Sequence, residues 1–322
     1  MRSLLTSVGR SACLLSAAAL LAGCSGPAVG PQRGSASPTD RGPMAAETGG
    51  AIDPSGGPWT PDPDAWLPRS PERLAARLTR TTRALLIEID DWRASGRTSA
   101  WPPPRRIVLL ALDQQRSIQL LAASADRREA TIRALPAALR PAIRDAAEAG
   151  AALRAGIGRV TTDVAVEMRT RAPLPPDVLL GHYREAARRF GVDWEMLAAV
   201  NFLETKFGRV ISNSWAGARG PMQFIPSTWA AYGLGGDIRD PRDAIHGAAN
   251  YLAANGAPGE PRRALWAYNP VAYYGQAVMA YERMIRRDPR LFYALYTWQV
   301  FVRTSAGSVQ LTGPGADVRS ST

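Results

Sequence analysis

The chain has 322 residues, and its net charge of +11 comes from 39 basic and 28 acidic residues. Its content of 46% hydrophobic and 21% charged residues is close to that of globular proteins, which excludes a wholly disordered chain. The two cysteines and two histidines are too few for a disulfide scaffold, a zinc cluster or an iron–sulfur protein, so neither a metal nor a cofactor is expected.

The N-terminus has the pattern of an export signal. Arg2 and Arg10 precede an apolar run over residues 12–22, which is shorter than the roughly 20 residues that span a membrane. The run ends in Leu-Ala-Gly-Cys at residues 21–24, which resembles a bacterial lipobox. The resemblance implies that residues 1–23 are a lipoprotein signal peptide and that Cys24 is lipidated. An ordinary signal peptide followed by a chance cysteine is the alternative.

Export changes what the positive charge implies. Removal of residues 1–23 takes away two arginines and no acidic residue, which leaves a net charge of +9. An exported basic protein meets anionic lipids and wall polymers rather than DNA. We therefore expect no nucleic-acid partner. A lipid on Cys24 would hold the protein in the cell envelope, at the outer face of the cytoplasmic membrane.

Residues 24–69 are rich in Gly, Pro, Ser and Ala and are expected to form a disordered tether. Residues 70–172 are expected to form a helical hairpin or small bundle. Ser70 has the pattern of a helix cap, the prolines at 102–104 break the chain, and further helical segments follow. No chemistry is evident in this region, so packing and spacing are its expected roles.

Residues 173–311 have a different pattern, and prolines mark their start. Helices are expected over residues 177–190, 194–206, 240–254 and 264–287, the last with a break at Asn269-Pro270. Residues 297–303 and 309–311 are rich in β-formers and flank a turn, which predicts a short C-terminal hairpin. The expected fold class is mainly α, and residues 312–322 are expected to be a disordered tail.

Glu204 ends the most apolar of the expected helices. Residues 196–203 are apolar almost all round, which predicts a buried helix. A carboxyl group at its end is partly desolvated, which raises its pKa and suits it to protonate a glycosidic oxygen. The alternative is a solvated glutamate paired with Lys206 or Arg209. The burial pattern alone favours that alternative because most glutamates are exposed.

A series of motifs reverses this balance. Glu204-Thr205 is followed by Ser214, by the segment Gly-Ala-Arg-Gly-Pro-Met-Gln-Phe at residues 217–224, and by Ala-Tyr-Asn at residues 267–269. Over residues 177–290 this order and spacing resemble the lytic transglycosylases that cut bacterial peptidoglycan. The nearest types are actinobacterial lipoproteins close to the membrane-bound B-type branch. The resemblance implies a lysozyme-like domain over residues 173–311, with peptidoglycan glycan strands as its substrate.

The resemblance also implies roles for individual residues. Glu204 matches the family's single acid/base, which protonates the oxygen between N-acetylmuramic acid and N-acetylglucosamine. It then deprotonates the muramic 6-hydroxyl, so the product carries a 1,6-anhydro ring. Tyr268 is its expected hydrogen-bond partner. The positions that match the family's substrate cleft are Thr205, Ser214, Met222, Gln223, Tyr268 and Asn269.

Two other functions remain open. A lysozyme-type muramidase hydrolase would need a second carboxylate, and Asp237 is the nearby candidate because Asp240 and Asp243 form a helix cap. A non-catalytic peptidoglycan-binding lipoprotein is the other alternative, although such a protein is expected to lose the acid first.

The tryptophans and the two histidines are the remaining side chains that could bind a sugar or a metal. Trp215 is the tryptophan best suited to stack on a sugar ring. His182 and His246 stand on expected helices without metal-ligand spacing, so no metal site is expected.

Overall fold

The structure, a computed structural model, describes residues 58–157, 168–304 and 307–316. Within these residues the chain is mainly α-helical, as predicted, with eleven α-helices, one 3₁₀ turn at Arg97–Ser99 and one two-stranded sheet. The expected signal peptide, Cys24 and residues 24–57 of the expected tether lie outside the described residues. None of the described helices combines the length and the apolar character needed to cross a membrane.

Four helices form the N-terminal region: α1 (Pro71–Ala94), α2 (Arg105–Ala122), α3 (Ala125–Ala134) and α4 (Arg140–Ile157). Ser70 caps α1, because its hydroxyl accepts a hydrogen bond from the Arg73 amide. The stretch 127–155 is divided between two helices. Pro136 disfavours a helical conformation at Leu135, whose backbone is extended and ends α3.

The last part of the expected tether contacts this helical region. Arg106 donates to the backbone oxygen of Trp59 at 3.2 Å, and Arg116 donates to that of Ala65 at 3.2 Å. The guanidinium group of Arg80 lies 4.0 Å from the ring centre of Trp59. Contacts with the helices therefore begin before residue 70.

Seven helices and a hairpin make up the second half. The helices are α5 (Pro176–Phe190), α6 (Trp194–Thr205), α7 (Pro226–Tyr232), α8 (Pro241–Ala254), α9 (Pro261–Tyr268), α10 (Ala272–Arg287) and α11 (Arg290–Thr297). Strand β1 (Phe301–Thr304) pairs antiparallel with β2 (Gly307–Gln310), as the pattern predicted. The sequence did not predict α7 or α11. Helix α11 is rich in Tyr and Phe, and burial rather than intrinsic propensity stabilises it.

Helix α6, which carries Glu204, lies at the centre of this half. Every residue from Met196 to Thr205 is buried, and α5, α8, α10 and α11 pack against the helix. Helix α10 also packs along α4 of the N-terminal region, where Arg283 and Arg287 bind Asp145 at 2.6 and 2.9 Å. One hydrophobic core therefore spans both halves of the described chain.

A second connection joins the N-terminal region to the chain near Glu204. Gln115 of α2 exchanges two hydrogen bonds with the backbone of Gln299, at 2.9 and 2.7 Å. The neighbouring backbone oxygen, that of Trp298, accepts a hydrogen bond from Arg209. Arg209 follows Glu204 by five residues, so the helical region supports the segment that leaves the candidate site.

Candidate active site

Glu204 is buried in the last turn of α6. Only 4% of its surface is exposed. Burial raises the pKa of its carboxyl group from 4.5 to about 8, although a hydrogen bond from Tyr274 acts in the opposite direction. The group is therefore mostly protonated at neutral pH, and it can donate a proton to an acceptor in contact with it.

The hydrogen-bond donor to Glu204 is Tyr274. Its hydroxyl lies 2.7 Å from Glu204 Oε1. Tyr268, the partner expected from the sequence, donates its hydroxyl to the backbone oxygen of Met222 at 2.6 Å. The two tyrosine rings stack, with centres 6.3 Å apart and planes 4° apart. The sequence analysis missed Tyr274, and its position shortly after the Ala-Tyr-Asn motif was the available signal.

The two cations nearest in sequence are directed away from Glu204. The amine of Lys206 lies 3.5 Å from the ring centre of Phe202, and Arg209 donates to the backbone oxygens of Tyr296 and Trp298. The alternative of an exposed glutamate in an ion pair is therefore wrong. The other buried carboxylates within the described chain are Asp113 and Asp145, and each binds an arginine. Glu204 alone among these three has no cationic partner.

Lys206 is itself an unusual buried group. Its amine has no hydrogen-bond partner among the described residues, and 1% of the residue's surface is exposed. Burial is the main cause that lowers the pKa of this amine well below 10.5, and the charge of Arg209 adds to the effect. Protonation therefore favours the unfolded state at any pH below about 10.5.

We expect Lys206→Met to stabilise the protein. Methionine keeps the length of the side chain and removes a buried, unpartnered amine, so a gain of about 1–3 kcal/mol is expected. The gain should be larger at pH 7 than at pH 10, because only the unfolded state takes up a proton readily as the pH falls. Calorimetry at both pH values is the measurement. A lower melting temperature for the variant would mean that the amine's contact with the Phe202 ring outweighs the cost of its burial.

The glycine-rich segment is held against α6 by two polar side chains. The Thr205 hydroxyl donates to the backbone oxygen of Pro221 at 2.6 Å and accepts from the Gly208 amide at 2.9 Å. Asn201 donates to the same Pro221 oxygen at 2.7 Å. Thr205 is thus fully buried with its hydroxyl turned to the backbone. Asn201 was missed, although it was the one polar residue in the apolar run 196–203.

The other expected cleft residues fall into two groups. Met222 is buried beneath Tyr268, and Gln223, the next residue, donates from its side chain to the Gly220 oxygen at 2.9 Å. Asn269 directly follows Tyr268 and is buried. Their segments are linked to the neighbours of Glu204, because Thr205 binds the Pro221 oxygen and the Tyr268 ring stacks on that of Tyr274. A direct role in sugar binding stays a prediction for these residues.

Ser214 lies in the turn formed by residues 214–218. Its hydroxyl accepts from the Ala218 amide at 2.8 Å, which organises residues 214–218. Trp215 in this turn is 66% exposed, so its ring is free to contact a ligand. A direct role for either residue in sugar binding stays a prediction.

The candidate second carboxylate, Asp237, binds the backbone of its own turn. Its Oδ1 accepts from the Arg239 amide at 2.8 Å, and its own amide donates to Asp243 at 2.9 Å. Asp240 caps α8 by accepting from the Asp243 amide, as the sequence predicted. These contacts give all three carboxylates structural roles. In the part of the chain that the structure describes, no group of His, Cys, Asp and Glu is arranged to hold a metal ion.

Comparison with known proteins agrees with this geometry. Residues 182–281, which include Glu204 and Tyr274, match the transglycosylase SLT domain family. A protein named membrane-bound lytic murein transglycosylase F from Thiobacillus denitrificans is 34% identical over 93 residues. A protein of the same name from Pseudomonas fluorescens is 33% identical over 72 residues. No solved structure matches the chain.

The similarity to these relatives is confined to part of each protein. The two alignments cover 29% and 22% of this chain, and only 19% and 14% of the relatives. The chain thus spans less than a fifth of the length of the curated relatives it matches. Within that limit, the buried glutamate, the helical fold and the family match agree. Residues 182–281 therefore match a transglycosylase SLT domain, whose fold is lysozyme-like.

Proposed function

We propose that this chain is an exported lytic transglycosylase that cleaves peptidoglycan between N-acetylmuramic acid and N-acetylglucosamine. The observation that carries the proposal is Glu204. Its carboxyl group is buried without a cationic partner inside a transglycosylase SLT domain, and its pKa is raised to about 8. Such a group supplies the proton that a departing sugar oxygen needs.

In the proposed reaction Glu204 acts twice. The protonated carboxyl first donates its proton to the glycosidic oxygen, and the bond to the muramic anomeric carbon breaks. The resulting carboxylate then takes the proton of the muramic 6-hydroxyl, whose oxygen bonds to the same anomeric carbon. The product is a 1,6-anhydro sugar, the proton is back on Glu204, and no water is consumed. One carboxyl group suffices for this sequence, whereas ordinary glycosidases use two.

Product analysis tests this chemistry directly. A soluble version that lacks residues 1–24 would be incubated with purified peptidoglycan, and the released sugar ends would be identified by mass spectrometry. We expect anhydromuramyl ends. Reducing ends would favour a muramidase hydrolase instead. Binding to the wall without any cleavage would favour the non-catalytic alternative.

We expect Tyr274→Phe to slow cleavage and to change its pH dependence. The Tyr274 hydroxyl stabilises the ionised form of Glu204, so its removal raises the pKa of the carboxyl group further. A hydrogen bond to a charged group contributes about 1.5–3 kcal/mol, so a loss of roughly 10- to 100-fold in kcat is expected. The alkaline limb of the rate profile should move to higher pH.

Tyr268→Phe is the matched control for this experiment. It removes the hydroxyl that binds the Met222 backbone and leaves the bond between Tyr274 and Glu204 in place. Its rate profile should keep the position of the wild-type alkaline limb. An equal displacement in both variants would show that the tyrosine pair, rather than the Tyr274 hydroxyl, sets the pKa of Glu204.

We also propose that a lipid on Cys24 anchors the protein to the outer face of the cytoplasmic membrane. The lipobox-like residues 21–24 and the basic, apolar start of the chain support this. Residues 25–57 would link the anchor to the first contacts with the helical region. Cys24→Ala should abolish labelling by a radioactive fatty acid and should release the protein from the membrane fraction.

A further inference from the structure

Helix α4 carries a glycine where it meets the start of α10. Gly156 lies in the last turn of α4, and the Tyr273 ring occupies the space that a side chain there would fill. A Cβ atom on Gly156 would lie 2.0 Å from Cδ1 and 2.4 Å from Cγ of that ring, whereas carbon atoms pack at roughly 3.5–4.0 Å. Glycine is unfavourable within a helix compared with alanine, so its presence here matches the close approach of Tyr273.

Helix α4 also holds the far end of α10. Asp145, in the first half of α4, accepts hydrogen bonds from Arg283 and Arg287 at 2.6 and 2.9 Å. Asp145 and Gly156 lie about 16 Å apart along α4, and the residues they contact lie near opposite ends of α10. The two helices therefore run antiparallel, and two separated contacts fix how α10 slides and rotates against α4.

Two consecutive residues of α10 face different neighbours. Tyr273 faces Gly156, whereas Tyr274 is buried and donates its hydroxyl to Glu204 Oε1 at 2.7 Å. Side chains of consecutive helical residues project about 100° apart around the helix axis, so the placement of the first ring sets the direction of the second. A tyrosine hydroxyl lies at the tip of its side chain. A small rotation of α10 therefore moves it more than the rest of the residue, and its hydrogen bond weakens as it lengthens.

Resting on the proposed function, we propose that Gly156 is a positioning residue for the reaction of Glu204. Gly156 admits the Tyr273 ring, the ring holds the first turn of α10 against α4, and this keeps the Tyr274 hydroxyl on Glu204. Gly156 has no side chain with which to contact a substrate, so its effect passes through α10. The N-terminal region thus contributes to proton transfer, beyond the packing and spacing expected for residues 70–172.

The pH profile of cleavage by Gly156→Ala tests the proposal. We expect kcat to fall about 10-fold while KM stays within about twofold, because the variant misplaces a group at the site and removes no contact with the substrate. The alkaline limb should move to higher pH, as in Tyr274→Phe, because Glu204 loses a hydrogen bond to its ionised form. Gly150→Ala is the matched control in the same helix. Its Cβ would lie 3.0 Å from that of Ala122 in α2, so it should leave the alkaline limb in place.

A second variant shows whether the effect passes through the Tyr273 ring. Tyr273→Ala leaves the space beside Gly156 empty, so it should itself lower kcat and move the alkaline limb to higher pH. In the Tyr273→Ala background Gly156→Ala should add no further change, because the ring that its Cβ displaces is absent. A wild-type pH profile in either single variant would overturn the proposal. So would an equal effect of Gly156→Ala in both backgrounds, which would indicate a general disturbance of α4.

Thermal unfolding gives a readout that does not require activity. Ionisation of Glu204 in the folded protein begins near its pKa of about 8, and above that pH the cost of its burial no longer grows. If the variant holds this pKa higher, its melting temperature relative to the wild type should be constant from pH 5 to 7 and should fall by roughly 2–4 °C between pH 8 and 10. Gly150→Ala should show no such fall. The fall without any cleavage of peptidoglycan would keep the positioning role and refute the proposed function, whereas its absence would refute the positioning role even in an active enzyme.

Discussion

Glu204→Gln is expected to abolish glycan cleavage, with a loss of about 1,000- to 10,000-fold in kcat. Glutamine has the size of glutamate and its side-chain oxygen can accept the hydrogen bond from Tyr274. It cannot transfer a proton, so both proton-transfer steps of the proposed reaction fail. The measurement is the rate at which anhydromuramyl ends appear from purified peptidoglycan.

The matched control is Glu195→Gln, at the opposite end of the same helix. Glu195 lies in the first turn of α6, and its substitution should leave the rate within about twofold of the wild type. The Glu204→Gln protein should still pellet with peptidoglycan, because the cleft keeps its shape. Cleavage by that variant at a tenth of the wild-type rate or more would show that another group supplies the proton.

The same substitution should stabilise the fold above about pH 5. In the folded protein the pKa of Glu204 is about 8, whereas in the unfolded chain it is close to 4.5. Between these values the unfolded state releases its proton and the folded state retains it, so the stability of the wild type falls as the pH rises. At pH 7 the expected cost is about 3 kcal/mol, and the neutral glutamine of the variant does not incur it.

Thermal unfolding at a series of pH values measures this effect. The melting temperatures of the wild type and Glu204→Gln should nearly coincide at pH 4. At pH 7 the variant should melt roughly 5–10 °C higher. Glu195→Gln should show no such divergence. A difference that is the same at pH 4 and pH 7 would mean that the pKa of Glu204 is not raised.

Taken together, these two results would link activity to stability. The burial that keeps Glu204 protonated, and so able to donate a proton, is also what destabilises its ionised form. Proteins commonly retain such unfavourable groups at functional sites. The shared core of α4 and α10, and the bonds between Gln115 and Gln299, offset part of this cost.

The sequence by itself determined the helical class, several helix ends and the burial of the helix that precedes Glu204. Ser70 and Asp240 cap their helices as predicted, because a cap depends on residues three or four positions apart. The apolar run over residues 196–203 also predicted a buried helix, since a helix that is apolar all round has no solvated face. For Glu204 itself the burial pattern alone favoured a solvated side chain. The motifs from residue 204 to residue 269 gave the resemblance to lytic transglycosylases, and residues 182–281 match the transglycosylase SLT domain.

Only the tertiary structure decided which side chains meet around Glu204. Tyr274 lies 70 positions further along the chain than Glu204. Whether its hydroxyl or that of Tyr268 donates to Glu204 depends on how α10 is rotated against α6. The same packing turns Lys206 towards Phe202 and Arg209 towards the backbone at the C-terminal end of α11. Such contacts form only when helices that are distant in sequence pack their faces together. Local sequence patterns therefore carry no information about them.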